Sequence, residues 1–105
     1  MYDNGHGVTE DNAEAVKCYT LAAKRGNSKA QYRLGLKYKE GSGIEQNDIY
    51  AHMWLNISST KGYKEAPKAL NDQENIMSAP AIINSLKLSG ICKKSKYKKC
   101  SVQDL

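Results

Sequence analysis

The chain of 105 residues has little of what marks a membrane protein, a metalloenzyme or a nucleotide-binding protein. None of its apolar runs approaches the ~20 residues of a membrane-spanning helix, and no secretory signal peptide begins at Met1. Its two histidines, His6 and His52, match no spacing of metal ligands. Gly41 and Gly43 are not followed by the Gly-Lys-Ser/Thr of a phosphate-binding loop. We therefore predict no membrane span, no bound metal and no cofactor.

What the chain does contain is one phrase that occurs twice, 36 residues apart. Tyr-Asp-Asn-Gly-His-Gly-Val at residues 2–8 returns as Tyr-Lys-Glu-Gly-Ser-Gly-Ile at residues 38–44. Small and apolar residues then recur in the same register as far as Leu70, which aligns with Leu34. A period of this length is typical of proteins in which one supersecondary unit stacks on the next. Such a unit cannot bury its apolar face alone, so the chain is predicted to be a solenoid that serves as a binding surface.

The spacing of apolar residues predicts two helices in each period, joined by short loops. Asp11 or Asn12 is the expected cap of the first helix, and Gly26 and Gly90 are the expected stops of the first and the last. The predicted helices cover residues 12–25, residues 27–40, about residues 48–61, residues 64–77 and residues 78–89. Two helices per period make an α-hairpin repeat, and the last two helices are expected to cover the open end of the stack.

The repeated positions resemble the Sel1-like repeat, a relative of the tetratricopeptide repeat. The pattern is carried by Ala30, Leu34, Gly35, Tyr38, Gly41, Gly43, Ile44, Ala51, Trp54, Gly62 and Ala66. The resemblance implies an all-α solenoid of stacked antiparallel helix hairpins, a right-handed superhelix of about two and a half repeats. Residues 1–90 would form the repeat domain, with repeats at about 1–26 and 27–62 and a degenerate cap at 63–90, and residues 91–105 a lysine-rich tail.

The same resemblance implies a non-catalytic scaffold that binds a protein or peptide on its concave helix face. On the predicted second helix, Lys29, Tyr32, Leu36 and Lys39 follow the spacing of one exposed stripe and suit a partner of acidic character. The alternative is that Tyr32 and Leu36 pack against a missing first repeat. Because the first unit is incomplete, either the chain belongs to a longer protein, or a partner or a second copy covers this end by self-association.

The three cysteines fall into two kinds. Cys18 lies on the predicted inward stripe of the first helix and is expected to be a small core residue. Cys92 and Cys100 bracket the lysine-rich segment and could form a disulfide, two free thiols or half of a metal site. This ending resembles the cysteine-rich tail of many secreted bacterial Sel1-like proteins. The sequence does not indicate the compartment. If the chain belongs to a longer protein and Cys92 and Cys100 form a disulfide, which requires an oxidising compartment, the periplasm or the cell exterior is favoured.

Two other functions compete with the scaffold. Ser58 and Lys61 have the Ser-x-x-Lys spacing of penicillin-recognising enzymes, and some cysteine-rich Sel1-like proteins have been described as β-lactamases. The Ser-Asp-Asn and Lys-Thr-Gly motifs of those enzymes are absent, so a hydrolase is not favoured. The lysines at positions 93, 94, 96, 98 and 99 could bind nucleic acid or an anionic surface. With no arginine and one aromatic residue among them, a solvated tail is the prediction.

Overall fold

The computed structural model describes residues 11–104. Within that range the chain forms five α-helices and a final 3₁₀ helix: α1 (Asn12–Lys24), α2 (Ser28–Glu40), α3 (Asp48–Thr60), α4 (Ala66–Glu74), α5 (Ala79–Lys94) and Val102–Asp104. The prediction of an all-α array of helix hairpins is confirmed. The first copy of the repeated phrase, at residues 2–8 and including His6, lies outside the described residues.

Side-chain caps explain why the first three helices begin where they do. The carboxylate of Asp11 accepts a hydrogen bond from the backbone N–H three residues later, and the side-chain oxygens of Asn27 and Asn47 do the same. Each cap satisfies one of the N–H groups that the first turn of a helix leaves free. Helix α2 ends at Gly41, which adopts a left-handed φ of 69° and returns its N–H to the carbonyl of Lys37.

The helices form two layers. Helices α2 and α4 lie in one layer, and α1, α3 and α5 lie in the other, with α3 packed against α2, α4 and α5. The backbone carbonyl of Met53 on α3 accepts a hydrogen bond from Ser89 on α5. Nearer the C-terminal ends of both helices, Thr60 on α3 contacts Lys93 on α5. Helices α3 and α5 therefore run parallel. The close contact of α2 with α3 occurs at Gly35, where a side chain would collide with Leu55.

The loop that carries the second copy of the repeated phrase packs on the start of α1. Gly43 has a φ of 78° and lies so close to the backbone of Asn12 that no side chain would fit. The ammonium of Lys37 donates to the side-chain oxygen of Asn12 at 3.0 Å. Gly43 therefore allows the α2–α3 hairpin to pack closely on α1, which explains why the repeated phrase has a glycine at this position.

Two predicted boundaries are corrected by the structure. Gly90 does not end the last helix, because Leu88, Ser89 and Cys92 form a buried face that continues past it to Lys94. Gly90 itself lies on the exposed side of α5, with open space where a side chain would begin. Residues 91–94 thus belong to α5. Helix α4 is shorter than predicted, since the chain after Glu74 leaves it through a turn that leads into α5.

The segment after α5 folds back onto the body of the protein. Cys92 and Cys100 are joined by a disulfide, with their α-carbons 4.5 Å apart. Tyr97 stacks on Trp54 of α3, with ring centroids 6.4 Å apart and planes within 26°. The hydroxyl of Tyr50 accepts the backbone N–H of Val102 at 3.1 Å. The prediction of a solvated tail is corrected in one respect: its lysines are exposed, but Tyr97 and Cys100 pack against the core.

Cys18 is also corrected, because it is an exposed free thiol and not a core residue. Its neighbour Leu21 is 64% exposed, although the equivalent residue of α3, Ile57, is fully buried. Helix α2 packs on this face of α3, but none of the described helices packs on the equivalent face of α1. The inward position of Cys18 would need a covering element that the described residues do not include.

We expect the double substitution Cys92→Ser with Cys100→Ser to lower the midpoint of thermal unfolding by roughly 10 °C. Loss of a short disulfide loop costs about 2–3 kcal/mol. Circular dichroism under non-reducing conditions measures the change. Cys18→Ser is the matched control and should leave the midpoint unaltered, since this thiol is exposed and unpaired. Equal melting of the double variant and the control would contradict the role assigned to the bridge.

Candidate functional site

A groove runs between α2 and α4 and has a volume of about 440 Å³. Tyr32, Leu36 and Lys39 of the predicted binding stripe line its α2 side. Its other wall consists of Lys64, Glu65, Lys68, Ala69 and Asp72. Lys29, the fourth residue of that stripe, lies elsewhere and lines a hollow with Cys18 and Tyr19 of α1. The structure thus brings three of the four predicted binding residues together and separates the fourth.

The groove combines an apolar, aromatic side with a charged rim. The ring of Tyr32 packs against that of Tyr63, with centroids 5.1 Å apart and planes tilted by 42°. This contact holds Tyr32 at the groove before any ligand arrives. Across from it, Lys68 and Asp72 form an exposed ion pair of 3.4 Å, which contributes little to stability. Their charges remain available to a ligand, as do those of Lys39 and Lys64.

A row of polar side chains that the sequence did not reveal crosses the interior. His52 of α3 is fully buried, with Nδ1 2.6 Å from the hydroxyl of Ser85 on α5 and Nε2 2.8 Å from the carboxylate of Glu74 on α4. Because the carboxylate can only accept, Nε2 carries the proton, and a neutral ring then accepts from Ser85. The repeat could have indicated that His52 is buried, because His52 aligns with Val16, which is a core residue in the first unit.

The hydrogen-bonded row of Ser85, His52 and Glu74 has the order of groups found in some acyl-transfer enzymes, but its role here is to connect buried helices. A catalytic serine must reach a substrate carbonyl. Ser85 is completely buried, and its hydroxyl points into the α3–α5 interface. The row instead satisfies the polar atoms of a buried histidine and links α3, α4 and α5.

Ser58, the serine of the Ser-x-x-Lys spacing, is buried as well. Its hydroxyl donates to the backbone carbonyl of Ser28 at 2.8 Å and so joins the end of α3 to the start of α2. Lys61 points toward the ring of Tyr97, with its ammonium 6.0 Å from the ring centroid. The two residues are therefore used in separate packing contacts and do not form a common site.

Tyr38 and Tyr50 form an aromatic pair between α2 and α3, with ring centroids 5.2 Å apart. Burial raises the pKa of Tyr38, and the neighbouring Tyr50 raises it further. The folded state thus favours the neutral phenol more strongly than the unfolded state does.

Across residues 11–104, no helix is both long and apolar enough to cross a membrane, and no three potential metal ligands cluster.

The comparisons with known proteins agree with this architecture. The family model for the Sel1 repeat matches residues 1–27 and 28–63. The chain belongs to the Sel1 repeat family. The second match contains the whole α2–α3 hairpin, and the first contains α1. The Sel1 pattern therefore accounts for the hairpin layout, while α4, α5 and the final segment lie beyond the matched repeats.

Two curated proteins match about two thirds of the chain. It is 32% identical over 69 residues to DAP3-binding cell death enhancer 1 of Rattus norvegicus, covering 66% of this chain and 14% of that protein. It is 31% identical over 68 residues to chitin synthase regulatory factor 3 of Schizosaccharomyces pombe, covering 64% of this chain and 7% of that protein. The chain thus spans a small part of both relatives. No solved structure matches it.

We expect Ser85→Ala to destabilise the protein by about 1–3 kcal/mol, because Nδ1 of His52 would lose its buried partner. Urea unfolding followed by circular dichroism gives the free energy of unfolding. Ser78→Ala is a useful comparison, since it removes an exposed helix cap on the same helix at a cost of about 1 kcal/mol. A Ser85 variant as stable as the wild type would show that the row does not hold the three helices together.

Stability should fall with rising pH near the ordinary pKa of tyrosine. A group whose pKa is raised in the folded state gives its full stabilisation below the unfolded pKa and loses it as the pH rises through the folded pKa. We therefore expect Tyr38→Phe to lose less stability between about pH 9 and 11 than the wild type. Urea unfolding across that range measures the difference. Parallel pH profiles would contradict the burial assigned to Tyr38.

Proposed function

We propose that this chain is a non-catalytic protein-interaction module that binds an acidic peptide or protein segment in the groove between α2 and α4. The observation that carries the proposal is the groove itself, in which Tyr32 and Leu36 face a ligand between the lysines 39, 64 and 68. Aromatic side chains held in place are typical of residues that dominate binding energy. Lysines around them attract acidic ligands and reject basic ones.

The family and the relatives support the same general role. Solenoids of helical hairpins use their extended surfaces to bind other proteins. One relative is named for binding DAP3 and the other for regulating a chitin synthase, and neither printed name describes a catalyst. Because this chain spans 14% and 7% of those proteins, their partners are not transferred to it. The shared property that we infer is binding through the repeats.

The groove is suited to a short segment more than to a small molecule. It is an open channel along two helices, and its wall carries alternating charges from Glu65, Lys68 and Asp72. A peptide can pair with such charges while placing one or two apolar side chains on Tyr32 and Leu36. The hydrolase alternative would require the hydroxyl of Ser58 to attack a substrate, and that hydroxyl is buried and already donates to Ser28.

The test uses a random library of 12-residue peptides selected on the immobilised wild-type chain, followed by affinity measurements on the enriched peptides. We expect them to be rich in Asp and Glu, and Tyr32→Ala with Leu36→Ala to weaken their binding by roughly tenfold or more. The matched control is Ile83→Ala with Leu86→Ala, which removes similar exposed apolar groups from α5. Circular dichroism should show unaltered helicity in both variants. Enriched peptides that bind the groove variant and the wild type equally would refute the proposal.

A further inference from the structure

The stacking of the helices sorts the charges of the chain toward opposite edges. Since α1, α3 and α5 run one way and α2 and α4 the other, the ends of the first group meet the starts of the second at one edge. Residues 24–29, 61–65 and 93–99 meet there, and we call these three segments the basic edge. They contain ten lysines and arginines and one acidic residue, Glu65.

Direct contacts hold the three segments of the basic edge together. The ammonium of Lys61 and the ring of Tyr97 both lie beside Gly26, close to where a side chain would begin. The ammonium of Lys93 lies 3.4 Å from the hydroxyl of Thr60, next to Lys61. The edge is therefore one surface, to which the first hairpin loop, the second and the final segment all contribute.

The other edge of the protein has the opposite character. Residues 11–14, 39–48 and 72–75 contain seven acidic residues and one basic residue, Lys39. Contacts such as Lys37 with Asn12 and Gln73 with Asp48 place the ends of α2 and α4 beside the starts of α1 and α3. The net charge of +5 for the whole chain conceals this separation.

Helix dipoles explain only part of the basic edge. Cations at the ends of α1, α3 and α5 are stabilised by the negative ends of those helices. The same effect disfavours Lys29 in the first turn of α2, and it does not act on Lys96, Lys98 and Lys99 beyond the end of α5. The excess of positive charge at this edge therefore exceeds what helix stability requires.

The disulfide fixes the lysines of the final segment on this surface. Three lysines, at positions 96, 98 and 99, follow α5 and repel one another. The bridge opposes that repulsion together with the stacking of Tyr97 on Trp54 and the hydrogen bonds of Ser101 and Val102 to the hydroxyl of Tyr50. With the bridge, Lys96 and Tyr97 adopt left-handed φ angles of 57° and 68°, and the tyrosine is stacked on Trp54. A ligand then meets an ordered set of charges and does not have to order them itself.

We propose that the basic edge is a second binding surface, for an acidic segment of a protein, and that the Cys92–Cys100 disulfide is needed for its full affinity. The surface is made of loops and helix ends, so it offers no helix or β-ribbon that could read bases in a major groove. Its two aromatic residues are already in use: Tyr97 packs on Trp54 with Lys61 near its ring, and Tyr63 packs on Tyr32. Neither ring is therefore a free stacking platform for nucleotides. Charge complementarity without base readout or stacking fits a chain of carboxylates, and duplex DNA and anionic vesicles serve as competitors in the test. The basic edge adjoins the groove and shares Lys64 and Glu65 with it, so the lysines chosen for the test, Lys94 and Lys99, lie outside the groove.

The experiment measures the fluorescence anisotropy of a labelled peptide of twelve glutamates with the oxidised wild-type chain, at low and at physiological salt. Lys94→Gln with Lys99→Gln should weaken binding by roughly fivefold. The control, Lys17→Gln with Lys87→Gln, changes the net charge equally at exposed sites about two helical turns from the edge, and should retain most of the affinity. Cys92→Ser with Cys100→Ser should weaken binding by a similar factor, measured at a temperature where circular dichroism shows that the body is folded.

Each outcome decides the proposal. Loss of affinity in the edge variant and the cysteine variant, with Tyr32→Ala/Leu36→Ala unaffected, supports a separate basic surface ordered by the disulfide. Equal weakening by the edge and control variants means that only net charge matters and overturns the surface. Loss in the groove variant alone assigns the acidic peptide to the groove. Tighter binding of duplex DNA or of vesicles with phosphatidylserine than of the peptide overturns the choice of a protein segment.

Discussion

The burial of α3 is the constraint on which the rest of the structure depends. Seven of its thirteen residues are buried, including the unbroken run from Ala51 to Leu55. A helix that is apolar or buried on more than one face needs covering elements on more than one side. Helices α2, α4 and α5 and the segment around Tyr97 supply them. Each of these elements is therefore positioned by its contact with α3.

This constraint also explains the polar groups of the interior and the position of the groove. His52 and Ser58 lie on buried faces of α3, so each must have a hydrogen-bond partner on a neighbouring helix, and each has one. Because α2 and α4 both pack on α3, they lie side by side, and their outer surfaces form the two walls of the groove. A binding surface thus follows from core packing and needs no dedicated loop.

Local chemistry allowed the first three helices to be predicted from the sequence. A cap and a glycine stop indicate the bounds of the first, and the spacing of apolar residues and the repeat register indicate those of the next two. The structure agrees within a residue. Gly90 was misinterpreted because glycine ends a helix only when no buried face continues beyond it, and burial depends on α3. Cys18 was misplaced for the converse reason: its position is inward only if another helix covers α1.

The candidate surfaces differ in how far the sequence could predict them. The spacing of Tyr32, Leu36 and Lys39 is local to one helix, so their shared face could be read directly. Tyr32 facing Tyr63, and His52 meeting Ser85, depend on packing between units and carry no spacing signal. The lysines of the final segment were visible as a cluster, but a cluster becomes a surface only when something orders it.

The disulfide therefore has two consequences that are inseparable. By holding Tyr97 against Trp54, it completes the cover of α3, and by the same contact it brings the last lysines beside those of the hairpin loops. Repulsion among these lysines opposes the closed arrangement, since like charges within a Debye length of about 10 Å repel at moderate salt. An acidic ligand would relieve that repulsion. Ligand binding and closure of the segment should thus favour each other, as linkage requires of any ligand that binds one state better.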